Sequence, residues 1–269
     1  MVRRVVARNP GPFTFKGTGT YVIGHGSVAV IDPGPDDGAH LGAILEGIRG
    51  ETVTHILITH THIDHSPLSR ALSASTGARI YAFGPNPSTP GGTGEAGGDV
   101  DFLPDEILRD GDRLTGKGWT FDVIHTPGHA SNHLCFGLVE EALLFTGDHV
   151  MGWSTSVVSP PDGDMAAYVA SLKRLLERED LYYLPTHGPR IERPHDYVRE
   201  LILHRSEREA EILAALSEGP ATVGNLVERI YAGLPGNLVS AAGRSVKAHL
   251  IDLDRRGAVR KDKDTYSRA

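Results

Sequence analysis

The 269 residues contain a single cysteine, Cys135. That excludes an internal disulfide framework and fits a reducing compartment. No apolar run approaches the roughly 18 residues that a membrane helix needs. The opening stretch, MVRRVVARNP, is basic but has no apolar h-region, so no secretory signal is read there. The expectation is a soluble, cytoplasmic protein without membrane contact. A strongly basic surface is also lacking. The net charge is −7, with 11 Lys+Arg against 9 Asp+Glu on residues 201–269 and −9 on the remainder. An acidic body with a weakly basic tail is not the electrostatic footprint of a strong nucleic-acid binder. Residues 84–98, rich in Gly and Pro, lack the Gly-Lys-Ser/Thr ending of a phosphate cradle and read as a mobile surface loop next to the helices and strands. No internal repeat is present.

What remains is an ordinary globular composition, 39% hydrophobic and 23% charged, long enough for a large and a small domain. Over the first two hundred residues strand-like and helix-like segments alternate. Tyr21–Gly24 and Val28–Ile31 form a hairpin, Ala39–Ile48 has helical spacing, and Val53–Ile58 reads as a buried strand. A helix from about Asp64 to Thr76 and a strand at Arg79–Phe83 follow. Further strands lie at Thr120–Ile124, His133–Leu138 and Ala142–Phe145, and a helix at Met165–Arg178. From about Pro194 the pattern turns helical. Three helices then precede a short hairpin around Asp262-Lys263-Asp264, the order of a winged-helix module. The domains expected are 1–200 and 201–269.

The densest chemistry is His60-Thr61-His62-Ile63-Asp64-His65, four metal-ligand side chains in six residues between a strand and Pro67. Such groups cannot pack in a core without partners, and divalent metals accept imidazole and carboxylate. Asp32-Pro33-Gly34, Thr126-Pro127-Gly128-His129, Thr146-Gly147-Asp148 and Pro185-Thr186-His187-Gly188 sit at or near strand ends, where functional groups are presented. Each alone is weak, since a lone strand-end Asp or His is usually a cap or turn residue. Their order is what carries the signal.

In that order the residues resemble the metallo-β-lactamase superfamily, whose motifs match over residues 1 to about 200. The resemblance implies an α/β fold, an αββα sandwich, followed here by a small C-terminal winged-helix domain. It implies one metal on His60, His62 and His129 and a second on Asp64, His65 and His187, with Asp148 bridging and Asp32 orienting a ligand from behind. The cofactors are then two divalent metal ions, zinc first and iron or manganese as alternatives. Paired cations lower the pKa of a shared water toward about 7, and the bridging hydroxide attacks the substrate. Asp64 is the candidate catalytic residue, positioning that nucleophile or shuttling its proton. His133 has two readings, an orienting or substrate-touching residue or a histidine satisfied at a strand start.

Asp148 stands where the best-known lactamases carry cysteine, and His62 where flavodiiron proteins carry glutamate. Only 38 residues separate Asp148 from His187, too few for a large nuclease insertion. Glyoxalase II, ribonuclease Z and their relatives remain. Asn9–Thr14, Gly17-Thr18, Thr20-Tyr21, Ser66 and His204–Glu209 further resemble the lactamase-beta-two-like subfamily, although Gly19 replaces its usual asparagine. The function implied is a dinuclear metal hydrolase of an ester, thioester, lactone or phosphodiester. Its substrate is a small molecule or single-stranded RNA, so glyoxalase-II-like thioesterase and endoribonuclease are the competing roles. A winged-helix regulator or an iron redox protein is the reading from a different class. The winged helix packs, binds RNA or makes a homodimer.

Overall fold

A computed structural model describes residues 1–86 and 97–269. The loop expected at 84–98 therefore lies largely outside the described residues. The chain divides into two compact units. One comprises Met1–Thr126, Asn132–Ser154 and Arg178–Pro194, the other Pro127–Ser131, Thr155–Glu177 and His195–Ala269.

The first unit is built on two sheets. Strands β1 (Val2–Val6), β2 (Gly19–His25), β3 (Ser27–Ile31), β4 (Thr52–Leu57), β5 (Arg79–Ala82) and β6 (Glu106–Ile107) hydrogen-bond in that order. The second sheet runs β11-β10-β9-β8-β7, from Tyr182–Pro185, Leu143–Gly147, Leu134–Leu138, Trp119–His125 and Arg113–Gly116. Successive strand residues face opposite sides, and the sequence uses both. Tyr21, Ile23, Ala29, Ile31 and Leu57 pack with Phe121, Val123, Phe136 and Phe145 of the second sheet. Val22, Val28, Val30 and Ile56 turn the other way, onto Ile44 and Ile48 of α1 (Gly38–Gly47) and its neighbour, and onto Leu68 and Leu72 of α2 (Leu68–Thr76). Burial on both faces explains why these strands read as apolar runs instead of clean alternation. β3, β4 and β5 pair in parallel, with α1 and α2 as the crossovers.

In the first unit the sequence expectation lacks the short strands β6 and β7, and it departs from the structure at two further elements. α2 starts at Leu68, four residues later than Asp64. His65 N–H and Ser66 N–H both donate to the His62 carbonyl, so residues 62–66 form a turn whose side chains stay available, and Pro67 then opens the helix. β1 was not anticipated. Val2–Val6 pairs antiparallel with β2, but none of its residues is fully buried, and so it shows no strong apolar pattern.

The second unit holds α3 (Met165–Leu175), α4 (Pro194–Ser217), α5 (Val223–Ile230), α6 (Gly236–Arg255) and a small sheet in the order β12-β14-β13 (Ala221–Thr222, Thr265–Arg268, Val259–Asp262). Ile212, Leu216, Leu226, Val246, Leu250, Leu253, Val259 and Tyr266 form its core. Thr222 caps α5, its side chain accepting from Asn225 N–H while the Asn225 side chain accepts from Thr222 N–H. Among the described residues no helix is long and apolar enough to cross a membrane.

His249 of α6 is 2% exposed, and neither ring nitrogen has a hydrogen-bond partner. Burial, reinforced by Arg205, His204 and Arg208 of α4 and by Arg256, pushes its pKa down from 6.5 to about 3. The folded unit thus holds this ring neutral, whereas the unfolded chain takes up a proton below 6.5. Stability contributed at neutral pH is lost as the pH falls from about 6.5 toward 3, reaching at most about 2 kcal/mol by pH 5. Chemical unfolding of the full chain at pH 7.5 and pH 5 checks this. His249→Leu should lose less stability on acidification than the wild type, and equal losses would contradict the assignment.

Candidate metal centre

The site grows from strand ends tied to one buried carboxylate. Asp32 follows β3 with φ +47°, a left-handed conformation that Asp tolerates better than most residues. Its carboxylate is fully buried. Oδ1 accepts from Thr59 N–H at 2.8 Å, and Oδ2 accepts from Thr59 Oγ1 at 2.8 Å and Thr186 Oγ1 at 3.0 Å. His65 Nδ1 donates to Oδ2 at 2.9 Å. Thr59 precedes His60 and Thr186 precedes His187, so one side chain references three segments of the site.

Hydrogen bonds also decide which nitrogen each imidazole presents. The Thr59 hydroxyl donates to Asp32 and therefore accepts from His60 Nδ1 at 3.1 Å. His129 Nδ1 donates to the Val157 carbonyl at 2.7 Å, and His187 Nδ1 to the Gly17 carbonyl at 3.4 Å. With His65 donating to Asp32, four rings spend Nδ1–H on an oxygen and present Nε2. His60 Nε2 and His62 Nδ1 approach to 2.9 Å. Two groups that could hold a metal ion result, His60, His62 and His129 in one and Asp64, His65, Asp148 and His187 in the other, the ligand atoms of each within 4.8 Å of one another.

The donor set fits divalent metal on a further observation. His65 Nε2 is buried without a hydrogen bond, yet lies 3.5 Å from carboxylate oxygens of both Asp64 and Asp148. His187 Nε2 lies 3.1 Å from Asp64 Oδ2 and 3.4 Å from Asp148 Oδ1. Burial opposes charge on His65, but the Asp64, Asp148 and Asp32 carboxylates outweigh it and hold its pKa well above the usual imidazole range. His187 is likewise raised against burial by Asp148 and Asp64. Asp64 is lowered although partial desolvation opposes it, chiefly by His65 and His187. The carboxylates demand positive charge, and a cation on the imidazole lone pairs supplies it without protonating the rings.

His133 lies behind Asp148. Asp148 N–H donates to its Nε2 at 3.2 Å, so its Nδ1 donates to Thr126 Oγ1 at 2.8 Å. A Cβ at Gly147, where φ is +51°, would sit 2.5 Å from that same Nε2, which is why glycine precedes Asp148. A brace not anticipated from the sequence holds the histidine loop. Asp99 N–H donates to the Thr61 carbonyl, its carboxylate accepts from Ser66 Oγ and Arg70 Nη1, and Asn132 Nδ2 donates to Thr61 Oγ1. Ser66 follows the motif directly. Asp99, Arg70 and Asn132 carried no sequence signal linking them to it.

Residues 14–187 match the family model of the metallo-beta-lactamase superfamily, and residues 222–268 that of the beta-lactamase associated winged helix domain. The chain belongs to the metallo-beta-lactamase superfamily, and its site is that of a hydrolase. It is 32% identical to the beta-lactamase-like protein 2 homolog of Drosophila melanogaster, over 97% of this chain and 90% of that protein. It is 29% identical to an atrochrysone carboxyl ACP thioesterase of Aspergillus fumigatus, over 88% of this chain and 75% of that protein. A metallo-beta-lactamase family protein from Thermus thermophilus superposes with a TM-score of 0.81 at 25% identity, covering 100% of this chain and 98% of that one. TTHA1623, crystallised in a di-iron-bound form, gives a TM-score of 0.57 at 29% identity over 71% of this chain and 94% of that one.

Asp32→Asn keeps the shape but can no longer accept from all four donors as an anion. Metal affinity, measured by chelator competition, should fall about 10- to 100-fold. Unchanged affinity would mean that the carboxylate only supports the fold.

Proposed function

We propose that the protein is a dinuclear metal hydrolase, zinc-loaded, that cleaves an activated acyl bond, a thioester first. The observation that carries this is the pair of adjoining ligand groups, seven side chains offering only imidazole nitrogens and carboxylate oxygens. Imidazole-rich sites suit zinc, and iron is the alternative for the same donors. Bound ions would polarise the substrate carbonyl and acidify a water toward neutrality.

The chain's own contribution follows from exposure and charge. The His65 and His187 side chains are 0% and 1% exposed and the Asp148 side chain 10%, whereas that of Asp64 is 24% exposed. Asp64 is thus the site carboxylate that solvent and substrate reach most easily, and its histidine neighbours keep it ionised. Its carboxylate can accept a proton from an attacking water and pass it on to the leaving group. The buried Asp32, by contrast, is saturated with donors and serves orientation alone.

Thioesters are favoured over RNA on two grounds. One relative of comparable similarity is named a thioesterase, and a body carrying −9 outside the last 69 residues offers phosphates little attraction. The test is metal analysis of the purified protein with a panel of acyl thioesters, lactones and single-stranded RNA. We expect about two metal equivalents per chain and thioester turnover. Asp64→Asn should lower kcat/KM by a factor of about 100 or more. A single equivalent, or turnover that survives the substitution, would overturn the proposal. RNA cleavage with thioesters untouched would overturn the substrate assignment and make the protein a nuclease.

A further inference from the structure

We propose that Arg205, on α4, is a positioning residue for the metal-ligand side chain His129, acting through the backbone of Ser156 and Val157. The inference rests on the reading of His129 as a metal ligand, and it explains an otherwise costly feature of the second unit. Arg205 is 3% exposed, and among the described residues it pairs with no carboxylate. Burying a guanidinium without a counter-ion is unfavourable unless its hydrogen bonds are needed where they are made. Its Nη2 donates to the Ser156 carbonyl at 2.6 Å, and its plane lies over the Tyr168 ring at 5.1 Å. The next carbonyl in the chain, Val157, accepts from His129 Nδ1 at 2.7 Å. One charge-assisted hydrogen bond thus anchors the two-residue strip that sets the ring's tautomer and direction.

The rest of the surroundings leaves the histidine loop little freedom except about this strip. Gly128 packs so closely on α3 that a Cβ there would stand 2.2 Å from Tyr168 Cα. Asp164 N–H donates to the Gly128 carbonyl at 2.9 Å, and Ser171 Oγ to the Pro127 carbonyl at 2.8 Å. Ser131 N–H donates to Asp162 Oδ2 at 3.1 Å. These contacts hold the loop's backbone on both sides of His129. None of them touches the ring, whose Nδ1 is held by the Val157 carbonyl, one residue beyond the carbonyl that Arg205 anchors. Lysine could keep the charge but not the planar stack on Tyr168.

The test uses the full chain with Arg205→Lys and Arg205→Met, so that a fold failure in one leaves the other. Arg208→Met is the control, since it removes a neighbouring cation of α4 that pairs with Glu211. In the metal-free protein, side-chain nitrogen NMR should show His129 as the Nδ1–H tautomer in the wild type and in Arg208→Met, and a tautomer mixture in both Arg205 variants. In cobalt-loaded protein, chelator competition should show one equivalent weakened about 10-fold or more, with altered visible bands, in the Arg205 variants only. Wild-type tautomer and affinity in both Arg205 variants would overturn the inference. A wild type that takes up no metal, with the tautomer still responding to Arg205, would overturn the metal reading while upholding the positioning.

Discussion

The buried Asp32 carboxylate is the constraint on which the site depends. An ionised carboxylate in a dry interior is tolerable only when its lone pairs are filled, and here four donors fill them, from Thr59, Thr186 and His65. Those donors stand at the ends of two strands from different sheets and at the turn before α2. Meeting the electrostatic demand of one side chain therefore fixes the mutual placement of His60, His65 and His187. The strained backbone at Asp32 is part of the same arrangement, since it turns the carboxylate back under the β4 end.

Around that anchor the fold repeats one device. His60, His65, His129 and His187 each give Nδ1–H to an oxygen supplied by the scaffold, a hydroxyl, a carboxylate or a backbone carbonyl. The imidazoles are thereby pre-set in one tautomer, so a bound ion would meet rings already oriented. The rigid sheets make this economical, because the donors and acceptors are mostly residues beside a strand end. The carboxylates Asp64 and Asp148 then converge on His65 and His187 in a cluster whose negative charge protons or cations must neutralise.

How legible this was follows from where the signal resides. The candidate ligands were readable because they are chemically conspicuous residues crowded at strand ends, and the apolar strands and the winged-helix order were readable from periodicity. The helix start at Leu68 was misplaced because Asp64 and His65 continue an apparent helical register while their backbone forms a turn on the His62 carbonyl. β1 escaped because an edge strand with half-shielded residues has no distinctive pattern. The Asp99 brace and the Arg205 strip escaped for another reason. Their decisive acceptors include the backbone carbonyls of Thr61, Ser156 and Val157, which have no residue signature, and the partners lie 28 and 49 residues apart in the case of the strip. Only the folded chain joins them.

We propose that the two ligand groups hold their ions as a pair. X-ray absorption at the metal edge of the zinc-loaded protein tests it most directly. Nitrogen and oxygen ligands at about 2.0–2.2 Å and a metal–metal vector of about 3.5–4 Å are the expected result. A first shell without that vector at full loading, or one containing sulfur, would contradict it.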